Sequence, residues 1–97
     1  MTVLAEKRMP RVVIAPAIQR HVPTPDTTLP AATVADALAG VFETRPALRA
    51  YLLDDQGALR RHVAVFVDGQ AVRDRRRLSD ALGPESEIYV VQALSGG

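Results

Sequence analysis

The chain closes on Leu94-Ser95-Gly96-Gly97. A terminal Gly-Gly presents a carboxylate on a tail with no side chain near its tip. Glycine backbone can approach a ligand closely and enter a channel too narrow for residues bearing a Cβ. The group available for chemistry is the Gly97 carboxylate, with Gly96 leaving its approach clear. The plain alternative is a frayed end, the state of most termini. Other residue sets offer less. There is no cysteine, which excludes a thiol nucleophile, a thiolate metal site and a disulfide framework. His21 and His62 are the only histidines. Neither stands with an acidic cluster at ligand spacing, so no metal is expected. No glycine-rich phosphate loop opens a helix, so no bound cofactor is expected either. Asp54, Asp55 and Asp68 read as turn residues rather than an acid–base pair. Arg73, Arg75, Arg76 and Arg77 could take phosphate or an acidic partner. Asp74 interrupts the run, and a solvated loop is the preferred reading.

Composition bounds the rest. Ninety-seven residues make one domain with a modest core. A formal net charge of +1 gives no global argument for a nucleic-acid partner. No apolar run approaches the roughly 18 residues of a membrane span. Residues 1–9 carry Glu6, Lys7 and Arg8 where an export signal needs its apolar stretch. A cytoplasmic protein is the expectation.

The elements that must position the tail follow from periodicity. Residues 1–9 read as a flexible N-terminal extension. Arg11 to Ile18 is rich in β-branched residues and reads as a strand, with Pro16 at an edge, a bulge or its end. His21 to Pro30 reads as an irregular turn leading into a short second strand. Thr33 is a favoured N-cap, with Asp36 in the first turn. Val34, Leu38, Val41 and Phe42 then form one apolar helical stripe. Gly40 inside it costs about 1 kcal/mol relative to Ala. Pro46 ends the helix near Thr44, and Ala47 to Leu53 resembles another helical turn. Asp54 to Gly57 is a turn. Arg61 to Val67 reads as a strand closed by Asp68-Gly69, a short-hairpin signal, with Gln70 to Val72 as its partner. Ser79 to Leu82 reads as one helical turn, and Ile88 to Ala93 as the last strand.

One helix must then cover one face of a mixed sheet of four or five strands, an α+β two-layer domain. The first and last strands pair in parallel across a right-handed crossover. This is the β-grasp, or ubiquitin-like, arrangement. The expected division is 1–9 extension, 10–93 domain and 94–97 extended reactive tail. Expected core residues are Leu38, Val41, Phe42, Val65, Val67, Ile88 and Val90. Strands alternate faces. With Val65 and Val90 inward, Phe66, Tyr89 and Val91 lie on the open face as a docking patch. The alternative is that the N-terminal extension covers one of them.

Three blocks carry a resemblance. They are Leu48-Arg-Ala-Tyr-Leu-Leu-Asp54, Gly57 through Arg73, and Glu87 through Gly97. Together they resemble the MoaD/ThiS family of bacterial sulfur carriers, closest to the actinobacterial branch serving cysteine biosynthesis. The family's Asn in the long strand is Ala64 here, and its Pro-Ala-Val-Ala before the glycines is Gln92-Ala93-Leu94-Ser95. The resemblance implies that an ATP-dependent enzyme similar to ubiquitin-activating enzymes adenylates Gly97. A sulfur donor then displaces AMP and leaves a thiocarboxylate. The carrier is then a co-substrate rather than an enzyme, and ATP belongs to its partner. Implied partners are the adenylating enzyme, a sulfur-accepting enzyme such as a cysteine synthase, and a metal-dependent peptidase. Phe66, Tyr89, Val91, Leu94 and Ser95 are the implied contact residues. The destination of the sulfur stays open between cysteine, molybdopterin, thiamine and a secondary metabolite. The other class is a ubiquitin-like protein modifier or a non-catalytic interaction module. Its single lysine, Lys7, weighs against lysine-linked polymers of itself.

Overall fold

A computed structural model of the protein describes residues 8–93. The terminal Leu94, Ser95, Gly96 and Gly97, and most of the 1–9 segment, lie outside the described residues. Five strands form one mixed sheet in the order β2-β1-β5-β3-β4. They are β1 (Arg11–Ile14), β2 (Thr27–Thr28), β3 (Val63–Val67), β4 (Gln70–Ala71) and β5 (Glu87–Gln92). Three helices lie between them in sequence: α1 (Pro16–Gln19), α2 (Val34–Thr44) and α3 (Pro46–Leu52). β1 and β5 pair in parallel at the centre, with Val12 opposite Ile88 and Ile14 opposite Val90. β3 runs antiparallel to β5, with Val65 opposite Val90 and Phe66 opposite Tyr89. This is the β-grasp arrangement.

The expected strand from Arg11 to Ile18 is shorter. It ends at Ile14, and Pro16 opens the short helix α1. Pro has no N–H to lose at a first helical position, and its φ is already helical. The turn sends Ile18 into the core, where it is fully buried. Met9 N–H donates to the Pro84 carbonyl at 2.9 Å, and Ala31 N–H to the Arg8 carbonyl at 3.1 Å.

α2 starts as its sequence dictates. Thr33 Oγ1 accepts the Asp36 amide at 3.2 Å. Two other first-turn amides find carbonyls from a distant loop: Val34 donates to Asp80 and Ala35 to Leu78. That loop includes the expected helical turn at Ser79–Leu82, which is absent. Ala81 instead bridges Thr33, and Leu82 N–H donates to Ala32. Capping a longer helix with these carbonyls excludes using them in a local turn. Leu78 takes φ 55° to do so, an uncommon conformation for a residue with a Cβ. Its side chain is buried in return.

α3 follows at once, with Pro46 at its start, so the expected turn at Ala47–Leu53 is a full short helix. Asp68 and Gly69 both have positive φ, 50° and 86°, the signature of a two-residue hairpin turn that matches strand twist. At Gly40 an added Cβ would press on the end of the Leu29 side chain, which would have to move to admit it.

Leu38, Val41, Val65, Ile88 and Val90 are buried as expected, joined by Val12, Ile14, Ile18, Leu48, Leu52 and Val63. Phe42 and Val67 are only half-buried at the margin of that cluster. Phe42 lies near the end of α2, and Val67 is the last residue of β3 before the hairpin turn. Leu48 is 0% exposed. Leu48→Ala should therefore cost about 2–5 kcal/mol, read as a lower urea midpoint with an unchanged slope.

Candidate functional site

The open face of the sheet is built by strand parity. Val12, Ile14, Val63, Val65, Ile88 and Val90 point to the helices and are buried. Val13, Phe66, Tyr89 and Val91 therefore point away. Val13 pairs with Tyr89 across β1–β5, and Phe66 faces Tyr89 across β5–β3. Phe66 also pairs with Ala71 on β4. One stripe, Val13–Tyr89–Phe66–Ala71, thus crosses four strands. Val91, opposite Ala64, extends it along β5 toward Ala93, the last described residue. The stripe forms a shallow apolar concavity of ≈ 450 Å³, lined by Val13, Phe66, Gly69, Glu87, Tyr89 and Val91. Tyr89 is 40% exposed, while Phe66, Val91 and Val13 are half-buried.

The sequence reading placed Phe66, Tyr89 and Val91 on this face, and the structure brings all three together. It missed Val13. The alternation in Arg11–Ile14 carried the signal, but the parallel register that sets Val13 beside Tyr89 did not show. It also missed the surroundings of Tyr51. The Tyr51 ring stacks on His21 at 5.2 Å and meets the edge of His62 at 5.6 Å. His62 lies in the turn just before β3, not in the strand, and packs on an aromatic ring.

The arginine-rich segment divides in two. Arg75 is structural: its guanidinium donates to the Arg60 carbonyl at 2.9 Å and the Val63 carbonyl at 2.8 Å. Arg73, Arg76 and Arg77 are exposed. Their backbone is pinned by carboxylates. Asp74 Oδ1 accepts the amides of Arg76 and Arg77, and Asp80 accepts those of Arg73 and Asp74. A concavity of ≈ 570 Å³ lies beside them. Its three carboxylates, Asp68, Asp74 and Asp80, already accept backbone amides, so it offers no free acid–base pair. Asp54 accepts the amides of Gln56 and Ala58 as a turn residue. Among the described residues no group of three or more His, Asp or Glu is placed to hold a metal ion. No helix among them is long and apolar enough to cross a membrane.

Residues 17–97 match the ThiS family. The chain belongs to that family. Its fold is shared by SAMP1 from Haloferax volcanii, at 24% identity over 92% of this chain and 99% of that one, TM-score 0.75. Small archaeal modifier protein 1 from Methanosarcina acetivorans is similar at 21% identity, covering 96% and 100%, TM-score 0.75. A chain of the BexX/CysO complex from Amycolatopsis orientalis is similar at 21% identity, covering 91% and 99%, TM-score 0.75. No curated protein matches the sequence.

The Ser79 side-chain hydrogen bond, with the backbone amides of Arg77, Ser79 and Arg76, lowers the Asp74 carboxyl to about 2. Its folded value lies below the usual carboxylate range near 3.9. Its contribution to stability is therefore complete above about pH 4 and is lost as pH falls toward 2. Asp80 is lowered as well, chiefly by the Arg73 amide, and works in the same sense. Asp74→Asn should be less stable than the parent at neutral pH and show a shallower loss between about pH 4 and pH 2. Urea midpoints across that range measure both.

Proposed function

We propose that the chain is a sulfur carrier and that Gly97 is its reacting group. One observation carries the reading. An apolar stripe on the open sheet face runs along β5 toward a chain end of Gly96-Gly97. A stripe of this kind is suited to docking, because it is apolar, partly exposed and crosses four strands. An adenylating enzyme docks there and receives the terminal carboxylate. An oxygen of that carboxylate attacks the α-phosphorus of ATP, and pyrophosphate leaves. Hydrosulfide then attacks the acyl adenylate, AMP leaves and a proton is released. The product is a thiocarboxylate at Gly97.

No side chain of the carrier takes part in these steps, which agrees with a chain that has no cysteine. The partner supplies ATP, and the carrier is its protein co-substrate. Leu94 and Ser95 form the approach, and Gly96 gives the clearance a narrow channel needs. The sulfur acceptor is an enzyme such as a cysteine synthase. A metal-dependent peptidase removes any residue that follows Gly97. The setting is cytoplasmic, where ATP and reduced sulfur are available. Residues 1–9 act as an extension, 10–93 as the domain and 94–97 as the reactive tail.

A second reading is favoured by the similarity to a small archaeal modifier protein. There the adenylated Gly97 would be joined to a lysine amine of another protein. Both readings begin with adenylation, and the product separates them.

Incubation with ATP, sulfide and the host's adenylating enzymes should add about 16 Da to the chain, as sulfur replaces oxygen at the side-chain-free terminus. Lysine conjugates without that gain would favour the modifier. Gly96→Ala should cut thiocarboxylate formation steeply while leaving the melting temperature unchanged. One residue added after Gly97 should abolish it until trimmed. Thiolation of the extended chain without trimming would overturn the carrier reading. Phe66→Ala and Tyr89→Ala should each weaken enzyme binding by more than about 1 kcal/mol, seen as a raised KM at a native circular dichroism spectrum.

A further inference from the structure

The last turn of β5 is held differently from the rest of the strand. From Ile88 to Val90 it has a partner on each side, β1 and β3. Beyond Val90, β1 has already turned into α1 through Ala15 and Pro16. Val91 and Gln92 are thus paired with β3 alone, as Ala64↔Val91 and Val63↔Gln92. A strand end with one neighbour frays readily, because fixing each residue costs conformational entropy.

A side chain supplies the missing attachment. Gln92 has the parity of Ile88 and Val90 and faces the helices. The Tyr51 hydroxyl, on α3, donates to Gln92 Oε1 at 2.6 Å. The tyrosine is itself held in place. His21, just past α1, stacks on its ring at 5.2 Å with an interplanar angle of 24°. His62 meets the ring at 86°, and the His62 carbonyl accepts the Ala93 amide at 2.7 Å. Segments adjoining α1, α3 and β3 therefore converge on the two residues where β5 ends. A half-buried tyrosine needs one partner for its hydroxyl. It does not need that partner to be the last residue of the strand that leads to the terminus.

We propose that Tyr51 is a positioning residue for activation of the terminal glycine. Through Gln92 it holds the end of β5 against the helix layer, and so sets the direction of the chain as it leaves Ala93. This rests on the carrier reading above, since only a reaction at Gly97 makes that direction matter. Docking on the stripe and aiming of the tail are then separate tasks on opposite faces of one strand. Tyr89 and Val91 serve the first, and Gln92 serves the second.

Tyr51→Phe keeps the ring and its histidine contacts and removes the donor. Gln92→Leu removes the acceptor from the other side. On the free chain, each variant should speed amide exchange at Ala93 about five- to tenfold, the loss of one hydrogen bond. Exchange at Val65 should not change. With the adenylating enzyme, each should lower kcat about three- to tenfold and leave KM unchanged, because orientation and not docking is lost. The double variant should be no worse than either single one, since both remove the same bond. Unchanged Ala93 exchange in both variants overturns the proposal. If the parent is activated and Tyr51→Phe matches its kcat, the positioning role alone falls. If the parent is not activated at all, the carrier reading falls and the positioning role with it.

Discussion

The parallel pairing of β1 with β5 organises the whole domain. Parallel neighbours cannot be joined by a tight turn, so the chain must cross over between them. Here the crossover contains every other element, from α1 to β4. Right-handedness puts its helices on one face. The opposite face is left open, and the last strand sits at the centre of the sheet. A terminal strand at the sheet edge would leave the chain end beside solvent with one neighbour throughout. A central one is fixed on both sides over Ile88–Val90. The chain then leaves the sheet two residues beyond the stretch held on both sides.

That placement links the core to the candidate site through one strand. Ile88 and Val90 are fully buried against the helices, while Tyr89 and Val91 alternate with them on the open face. A displacement of β5 toward either face would disturb both sets. A one-residue slip would bury Tyr89 and expose Val90. The register is held from both flanks, by Val12↔Ile88 on one side and Val67↔Ile88 on the other. Burial of apolar rows on one face therefore determines which aromatic groups the other face offers.

The polar loop from Arg73 to Asp80 solves a different problem. α2 begins beside it, and its first amides need acceptors. Thr33 supplies one from its side chain, and the loop supplies carbonyls for two more. The loop must hold an unusual shape to do this, including positive φ at Leu78. Two aspartates hold it there through backbone amides, and the Leu78 side chain anchors it in the core. Its arginines are consequences of this scaffold as much as features of the surface. Arg75 turns back to brace the start of β3, and its neighbours remain exposed.

What was legible in the sequence was local or periodic. The Thr33 cap, the Pro46 break, the Asp68-Gly69 hairpin and the alternation in Val63–Val67 and Ile88–Val91 all depend on residues within a few positions of one another. The Gly96-Gly97 pair is equally local, and the role given to it belongs to the proposed function. Fold class and the outward set Phe66, Tyr89 and Val91 follow from those alone. Only the tertiary structure decided the features that join distant segments. Pro16 leaves open an edge, a bulge or a strand end, and the structure ends β1 at Ile14 and turns Ile18 into the core. Ser79–Leu82 has helical residues, yet the free amides of α2 compete for its carbonyls and win. Val13 joins the stripe through a parallel register that no spacing encodes. Tyr51 meets Gln92 across 41 positions, a contact set by where α3 lies over the end of β5. Propensity and period act along the chain, whereas capping by a remote loop, register and side-chain pairing are settled by what packing brings within hydrogen-bond reach.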